Sequence, residues 1–308
     1  MCSFKQIGRR YVVANTGHPQ NVLVKKKGLP LFYGIIPEHE IIWKGAETRM
    51  PVYKWNEMSR EQIGDLAKEA MVVVPIGATE QHGPHLPVET DNVIIQAVSQ
   101  QSVEKAGAQI PIVLAPLIPF GFSHHHFLYP GVLSLSIQTL ITVLNDLIES
   151  VIKSGFTQIF IVNGHGGNDE VIRLAAREMA LKYPVTVGAA SYWTVAAEEM
   201  GAYAKQHQIS ELPGHAGQFE TSLMLALQPN HVQLEKLSLA SKERHAAGKS
   251  AGPGKVMVEN TESWKQIDGF TDHPEKAEEQ LGRDLLKIIS DKVASELIAF
   301  YGSRDAAD

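Results

Sequence analysis

The sequence MVVVPI at residues 71–76 is followed directly by GATEQHGPH at residues 77–85. Six consecutive nonpolar residues are typical of a strand that is buried on both faces of a parallel sheet. The nine residues that follow are rich in glycine and in polar side chains. Because open α/β sheets bind ligands outside the carboxyl ends of their strands, this abrupt change predicts both a fold class and the position of a site.

Strand-like and helix-like patterns alternate along the rest of the chain. The predicted strands cover residues 71–76, 112–117, 158–162 and 185–190, and the predicted helices cover residues 55–70, 91–106, 137–153, 168–182, 216–227 and 274–300. Ser59 and Gln62 predict a capping box in the first helix, and Thr90 or Asp91 is the predicted N-cap of the second. The alternation predicts an α/β fold with a mostly parallel sheet covered by helices on both sides.

The composition excludes several classes of protein. The chain has 308 residues, a formal charge of −6, one cysteine and thirteen histidines. A single cysteine cannot make a disulfide framework or a cysteine-rich zinc site, and an acidic balance argues against a nucleic-acid partner. The longest mostly nonpolar stretch, residues 70–78, is far shorter than the roughly 18 residues of a membrane span. With no signal-peptide pattern, we predict a cytoplasmic protein with no membrane partner.

The chain is predicted to have two parts. Residues 1–50 scatter glycine and proline among short nonpolar pieces, which predicts an irregular N-terminal arm, and residues 51–308 are predicted to form one domain. Within that domain the glycine-rich segment Ser241–Gly254 is predicted to be a mobile loop. It is not a phosphate-binding loop, because Glu243 stands where that motif requires its first glycine.

Polar residues are concentrated in three clusters at the predicted strand ends. They are Gly77–His85 closed by Thr90-Asp91, Asn163–Asn168, and Gly214–Ser222. Glycines on both sides of His165 allow the backbone to approach a ligand closely. Glu220 lies one helical turn after residue 216, so its side chain can point back toward the strand end.

The carboxylates and imidazoles of these clusters are candidate metal ligands. Without thiolates, such groups bind Zn²⁺, Mn²⁺ or Fe²⁺. Five ligands can hold two metal ions if one carboxylate bridges them, and two ions can activate a hydroxide and polarise a carbonyl, which is hydrolytic chemistry. The candidate ligands are Glu80, His82, Asp91, His165 and Glu220.

Each candidate also has an ordinary structural interpretation. Asp91 alone is typical of a helix cap, His165 of a hydrogen-bonded turn, and Glu220 of a carboxylate favoured by a helix dipole. Their convergence on successive strand ends favours a site instead. For the run His124–His126, a place in the pocket and a solvated or interface role both remain open.

The motifs EQHGPHLP with TD, then NGHGGN, then HAGxxETS, closely resemble those of the creatininase (creatinine amidohydrolase) family. The resemblance spans about residues 55–228 in consistent order. It implies a three-layer α/β/α sandwich, a binuclear metal hydrolase and a homohexamer. By motif position it places metal ligands at Glu80, His82, Asp91 and His165, with Asp91 bridging. It also makes His215 the general base or proton shuttle.

One position departs from that pattern. Creatininase itself carries a ligand glutamate two residues after the histidine of its NGH motif, and this chain has Gly167 there. Glu220 is the natural replacement, as the GHGGN members of the family suggest. The substitution makes creatinine itself a less favoured substrate.

The resulting hypothesis is a hydrolase with two divalent ions per subunit (Zn, Mn or Fe) that opens a small cyclic amide or related C–N bond through a metal-bound hydroxide. The alternative is a C–C bond hydrolase that opens a cyclic diketone, such as a diketo-inositol, on the same metal centre. A metal-binding or assembly protein without activity is the third interpretation, and the proton-shuttle candidate His215 speaks against it.

Overall fold

A computed structural model describes residues 53–209, 212–237 and 262–303, together with the backbone of four short strands before residue 38. The chain divides into two compact units, residues 1–49 and residues 50–308. The predicted mobile loop Ser241–Gly254 lies outside the described residues. The assignment of residues 51–308 to a single metal-hydrolase domain stays a prediction.

The first unit contains an antiparallel sheet, so the prediction of an irregular arm was wrong for these residues. The four strands, neighbours in chain order, are β1 (Phe4–Ile7), β2 (Tyr11–Asn15), β3 (Asn21–Lys26) and β4 (Ile36–Pro37). Pieces such as YVVAN and NVLVKK are rich in valine, which favours strands. The short nonpolar pieces are therefore better interpreted as short strands.

The second unit contains a five-stranded sheet in which every described pairing is parallel. Its strands are β5 (Tyr53–Lys54), β6 (Met71–Ile76), β7 (Ile112–Leu114), β8 (Gln158–Asn163) and β9 (Thr186–Ser191), in the order β5-β7-β6-β8-β9. Strands β6 and β8 lie beside each other and are buried along their whole length. Their carboxyl ends therefore lie side by side, with Ile76 paired to Asn163.

Helices cover both faces of this sheet. The helices are α1 (Arg60–Leu66), α2 (Thr90–Ala106), α3 (Ile137–Lys153), α4 (Asp169–Lys182), α5 (Tyr192–Val195), α6 (Ala197–His207), α7 (Gln218–Leu227), α8 (Glu262–Gln266) and α9 (Glu279–Gly302). Alternate residues of β6 enter different hydrophobic clusters: Val73 packs in the cluster that contains α2, α7 and α9, whereas Val72 and Val74 pack in the cluster that contains α3 and α4. The predicted α/β/α layers are confirmed.

The predicted helices are present, but α1 and α9 each begin five residues later than predicted, α1 ends at Leu66 instead of residue 70, and α5 and α6 were not predicted. The capping box of Ser59 and Gln62 is present at the start of α1. Helix α2, however, has Glu89 at its N-cap and no side-chain cap, so the prediction of Thr90 or Asp91 as N-cap was wrong. The Thr90 hydroxyl donates instead to the carbonyl of Pro87 at 2.7 Å. Because Asp91 does not cap the helix, its carboxylate is available for another role.

Among the described residues, no helix is long and nonpolar enough to cross a membrane.

Candidate metal centre

The three polar clusters meet at the carboxyl edge of the sheet. The loop after β6 and the loop after β8 leave adjacent strand ends, and Gly164 donates its backbone N–H to the carbonyl of Ile76 at 2.9 Å. Helix α2 starts at this edge, and α7 packs against α2. The five predicted ligands and His215 come together here, and each of the five ligands is at least 95% buried.

Asp91 stands between two imidazoles. Its Oδ1 atom lies 3.2 Å from Nε2 of His82, and its Oδ2 atom lies 3.1 Å from Nδ1 of His165. One carboxylate thus presents a different oxygen to each histidine. That arrangement suits a carboxylate that bridges two cations.

Glu80 lies at the centre of a second group of imidazoles. Its Oε1 atom is 3.4 Å from Nδ1 of His165, 3.5 Å from Nε2 of His126 and 3.5 Å from Nδ1 of His215. Neither oxygen of Glu80 has a hydrogen-bond partner among the described residues. A fully buried carboxylate in that position is costly unless a cation or a strong donor compensates it.

Glu220 reaches the centre from the first turn of α7. Its Oε2 atom lies 3.6 Å from Nε2 of His82 and accepts the backbone N–H of Ala216 at 2.6 Å. Ala216 adopts a φ of 51°, a left-handed conformation that costs energy for a residue with a side chain. The turn that carries His215 is therefore held in a strained shape next to Glu220.

Backbone carbonyls orient the two imidazoles that face Asp91. His165 donates its Nε2–H to the carbonyl of Phe122 at 3.0 Å, and His82 donates its Nδ1–H to the carbonyl of Glu80 at 3.2 Å. The opposite ring nitrogen of each histidine then faces the carboxylates. Outer hydrogen bonds of this kind fix the tautomer of metal-binding histidines.

The loop NGHGGN is held by its two asparagines. Asn163 accepts the N–H of His165 at 3.0 Å, and Asn168 donates to the carbonyl of Gly77 at 3.0 Å and accepts the N–H of Phe122 at 2.9 Å. A Cβ atom at Gly167 would lie 2.1 Å from the carbonyl oxygen of Phe122. This backbone therefore has no room for a glutamate at that position, which agrees with the departure seen in the sequence.

The residues present fit a site for divalent cations. Four groups of three side chains have ligand atoms within 4.8 Å of one another, and Glu80, His82 and Asp91 form one of them. The donors are carboxylate oxygens and imidazole nitrogens, the set expected for Zn²⁺, Mn²⁺ or Fe²⁺. Buried carboxylate oxygens without partners on Glu80 and Asp91 give the structural reason to expect cations.

The electrostatics of the centre favours positive charge near the carboxylates. Burial alone would lower the pKa of His82, but the adjacent Asp91 carboxylate raises it to about 10. Burial would also lower the pKa of His165, but the Glu80 carboxylate outweighs it and holds this pKa well above its ordinary value. A site that stabilises two buried imidazolium ions has a negative electrostatic potential, which also favours the binding of metal cations.

The remaining groups behave differently because burial dominates them. Burial raises the pKa of Glu220 to about 8 and lowers the pKa of His126 to about 3. It also holds the pKa of His215 well below the ordinary value, with the charges of His82 and of other histidines adding to the effect. His126 and His215 are therefore neutral imidazoles at physiological pH.

The structure separates the three histidines of the run His124–His126. His126 is 1% exposed and faces Glu80, whereas His124 lies 2.7 Å from the hydroxyl of Ser134. His125 is half-buried, and its ring is parallel to that of His165 at 5.8 Å. No sequence signal distinguishes the three, because their difference arises from a short 3₁₀ turn at residues 124–126.

Two further residues escaped the sequence prediction. Gln81 donates to the carbonyl of Gly269 at 2.7 Å and lies beside two histidines of the centre. Trp264, in α8, packs its ring at 4.4 Å from that of His126 and at 5.1 Å from that of His215. Gln81 stands inside a quoted motif without an assigned role, and Trp264 lies where the family resemblance is weak.

Comparison with known proteins places these observations in a family. Residues 56–297 match the family model for creatininase (creatinine amidohydrolase). The chain is 37% identical over 169 residues to the mycofactocin precursor peptide peptidase of Mycolicibacterium smegmatis, an alignment that covers 54% of this chain and 62% of that protein. The chain therefore spans less than two thirds of the length of this relative.

Three other similar proteins bear on the comparison. The creatinine amidohydrolase of Pseudomonas putida is 30% identical over 217 residues, which covers 64% of this chain and 74% of that protein. The 3-dehydro-scyllo-inosose hydrolase of Thermotoga maritima is 28% identical over 182 residues, covering 58% of this chain and 57% of that protein. A crystal structure of creatinine amidohydrolase superimposes with a TM-score of 0.65 at 26% identity, covering 80% of this chain and 96% of that one.

Proposed function

The chain belongs to the creatininase family, and on that premise we propose that it is a binuclear metal-dependent hydrolase that cleaves the C–N bond of an amide, with small cyclic amides as the first substrate class. The observation that carries the proposal is the buried Glu80 carboxylate. Both of its oxygens lack hydrogen-bond partners among the described residues, while three imidazole nitrogens lie within 3.5 Å of one of them. That arrangement is costly to bury without cations.

Five side chains of this chain would hold the metal ions. Asp91 offers one oxygen toward His82 and the other toward His165, so it is the natural bridge. Glu80 would join His165 as a ligand of one ion, and Glu220 would join His82 as a ligand of the other. When bound, two divalent ions supply Lewis-acid chemistry, because they lower the pKa of water and polarise a carbonyl.

His215 is the proposed proton-transfer residue. It donates its Nε2–H to the backbone carbonyl of Gln81 at 3.0 Å, so its unprotonated Nδ1 is the nitrogen that faces the carboxylates, 3.5 Å from Oε1 of Glu80. A neutral imidazole with a free lone pair at the reaction site can accept a proton and return it to the leaving nitrogen. Such general acid–base catalysis contributes about 10²–10⁴-fold in rate.

Two observations support an amide as the substrate. The relatives from M. smegmatis and P. putida are named as a peptidase and an amidohydrolase, and both names denote cleavage of a C–N bond. His126 and His215 also pack against the half-buried ring of Trp264, which supplies a flat aromatic surface on which a planar amide can stack.

The second candidate function is hydrolysis of a C–C bond in a cyclic diketone. The similarity to the T. maritima inosose hydrolase supports this alternative. The same residues would serve it, because attack on a ketone requires the same polarised carbonyl and the same proton transfer, with carbon instead of nitrogen as the leaving atom.

A substrate screen on the purified full chain tests both functions. Lactams, N-formyl compounds, short peptides and diketo-inositols are incubated with protein loaded with Zn²⁺, Mn²⁺ or Fe²⁺ and with chelated protein, and metal content is measured alongside. We expect about two equivalents of metal and metal-dependent release of an amine or carboxylate from an amide. Turnover of only the diketones would replace the leading function with the alternative, and one equivalent or less would reject the binuclear centre.

We also propose a homohexamer, which rests on the family resemblance alone, and a cytoplasmic location, which rests on the single cysteine and on the lack of a membrane-length nonpolar stretch in the sequence. Light scattering coupled to size-exclusion chromatography measures the mass in solution. A mass of about one 33.8 kDa chain would reject the hexamer.

A further inference from the structure

We infer that His126 is a hydrogen-bond donor to the substrate carbonyl oxygen rather than a metal ligand, and that Gln81 sets the tautomer that makes it one. The role toward substrate rests on the proposed function, whereas the tautomer rests only on the hydrogen-bond network. Distances alone do not distinguish a metal ligand from a hydrogen-bond donor, because Glu80, His126 and His215 have ligand atoms close enough to hold an ion. The positions of the protons on the imidazole rings distinguish the two roles.

The orientation of the Gln81 amide is determined first. Its Oε1 atom accepts the backbone N–H of Gly83 at 2.9 Å, so the other end of the amide is the NH₂ group. That group donates one hydrogen to the carbonyl of Gly269 at 2.7 Å. Gly269 adopts a φ of 74°, a left-handed conformation that favours glycine, and a Cβ atom there would lie 2.5 Å from Oε1 of Gln81.

The second hydrogen of Gln81 has two neighbours and one possible acceptor. Nε2 of Gln81 lies 3.0 Å from Nδ1 of His126 and 3.0 Å from Nε2 of His215. Nε2 of His215 also lies 3.0 Å from the backbone carbonyl of Gln81, which can only accept, so this nitrogen carries a hydrogen. Gln81 therefore donates to Nδ1 of His126.

This assignment gives His126 its function. An imidazole whose Nδ1 accepts a hydrogen bond has no proton on that nitrogen, so its single N–H group is at Nε2. A protonated nitrogen has no lone pair for a metal ion. Nε2 of His126 is buried, has no hydrogen-bond partner among the described residues and lies 3.5 Å from Oε1 of Glu80. An N–H group held beside a metal ligand is suited to stabilise the negative charge that develops on a carbonyl oxygen during hydrolysis.

Neighbouring rings hold the imidazole of His126 in one orientation. Its ring stacks on that of His215 with centroids 4.4 Å apart and an angle of 22°, and the ring of Trp264 packs against it edge-on, also at 4.4 Å. The donor is therefore preorganised, and its orientation costs nothing during the reaction.

Substitutions of His126 distinguish a donor from a ligand. We expect His126→Ala to retain the metal content of the wild type and to lose about 10²–10³-fold in kcat, with KM changed only a few-fold. His126→Gln should recover at least part of that loss, because its amide again offers an N–H group. His124→Gln, on the same turn but bonded to Ser134, is the matched control and should behave like the wild type. Loss of one metal equivalent in both His126 variants would overturn the proposal.

A spectroscopic readout does not depend on turnover. Nitrogen NMR of ¹⁵N-histidine-labelled, zinc-loaded protein, assigned by difference with His126→Gln, should show a protonated Nε2 and an unprotonated Nδ1 at His126. A protonated Nδ1, or a metal-bound Nε2, would reject the tautomer. If the wild type hydrolyses no compound of the substrate screen, the proposed function fails, yet this experiment still decides the tautomer.

The role of Gln81 as a positioning residue has its own test. Gln81→Met keeps the length of the side chain but removes the donor, so we expect His126 to populate both tautomers in the NMR spectrum. We also expect a drop in kcat, with metal content retained. A single unchanged tautomer in this variant would contradict the role of Gln81.

Discussion

Glu80 and Glu149 carry the same side chain in opposite surroundings. Glu149, on α3, lies on the surface with Lys153 at 2.7 Å and Lys182 at 2.9 Å, and hydrogen bonds, first from Lys153, lower its pKa to about 2. Glu80 is fully buried, its nearest charged partners are imidazoles such as His165, and its oxygens have no hydrogen-bond partner among the described residues.

Location, rather than pairing, separates the electrostatics of these two carboxylates. Water screens the pairs of Glu149, so such pairs contribute little to stability. Burial removes that screening at Glu80, so its attraction to a neighbouring cation such as the His165 imidazolium is strong. The net charge of −6 therefore says little about function, whereas the position of three buried carboxylates says much.

Asp91→Ala should have the largest effect, because it removes the carboxylate that lies between the two imidazoles. We expect both metal ions to be lost and hydrolysis to fall to the background rate. Metal analysis of the purified variant, next to a substrate assay, measures the two effects. Two equivalents of metal on this variant would show that Asp91 is not the bridge.

His215→Ala should separate catalysis from metal binding. With the five proposed ligands intact, we expect the metal content to stay at the wild-type level while kcat falls about 10²–10⁴-fold. The same metal analysis and steady-state kinetics measure the outcome. Loss of metal in proportion to activity would instead make His215 a ligand, a role its distances also permit.

Asn168→Ala tests the support around the centre. This fully buried side chain joins Gly77, Asn163 and Phe122, and its loss should let the His165 loop shift. We expect metal affinity to weaken about 10–100-fold, as is typical for outer-shell partners of metal ligands.

Competition with a chromogenic chelator measures the affinity of Asn168→Ala. Asn145→Ala is the matched control, because Asn145 bonds the surface residue Glu178 between α3 and α4. Equal metal affinities in the two asparagine variants would contradict a supporting role for Asn168.

Glu149→Gln should have the smallest effect and completes the comparison. The substitution removes a half-buried surface charge that water partly screens, so we expect an unchanged metal content and a thermal unfolding midpoint close to that of the wild type. Differential scanning calorimetry checks the midpoint. A large loss of stability would mean that the surface network matters more than its exposure suggests.

Much of the layout was predictable because it depends on local periodicity. The run MVVVPI, the capping box of Ser59 and Gln62, and the alternation of elements all follow from neighbours a few residues apart. The N-cap of α2 was mispredicted because Asp91 is a common capping residue. In the structure its carboxylate faces His82 and His165 instead.

By itself, the sequence determined the layers of the sheet, the strand ends that carry polar groups and the chemical nature of the candidate ligands. Tertiary structure alone decided that His126 rather than His124 enters the centre, that Gln81 reaches both His126 and His215, and that Trp264 packs beside them. The physical reason is the separation along the chain of the residues that interact. Periodicity records which face of an element is buried, whereas the proton positions in this centre depend on contacts such as that of Gln81 with Gly269, which join segments 188 residues apart.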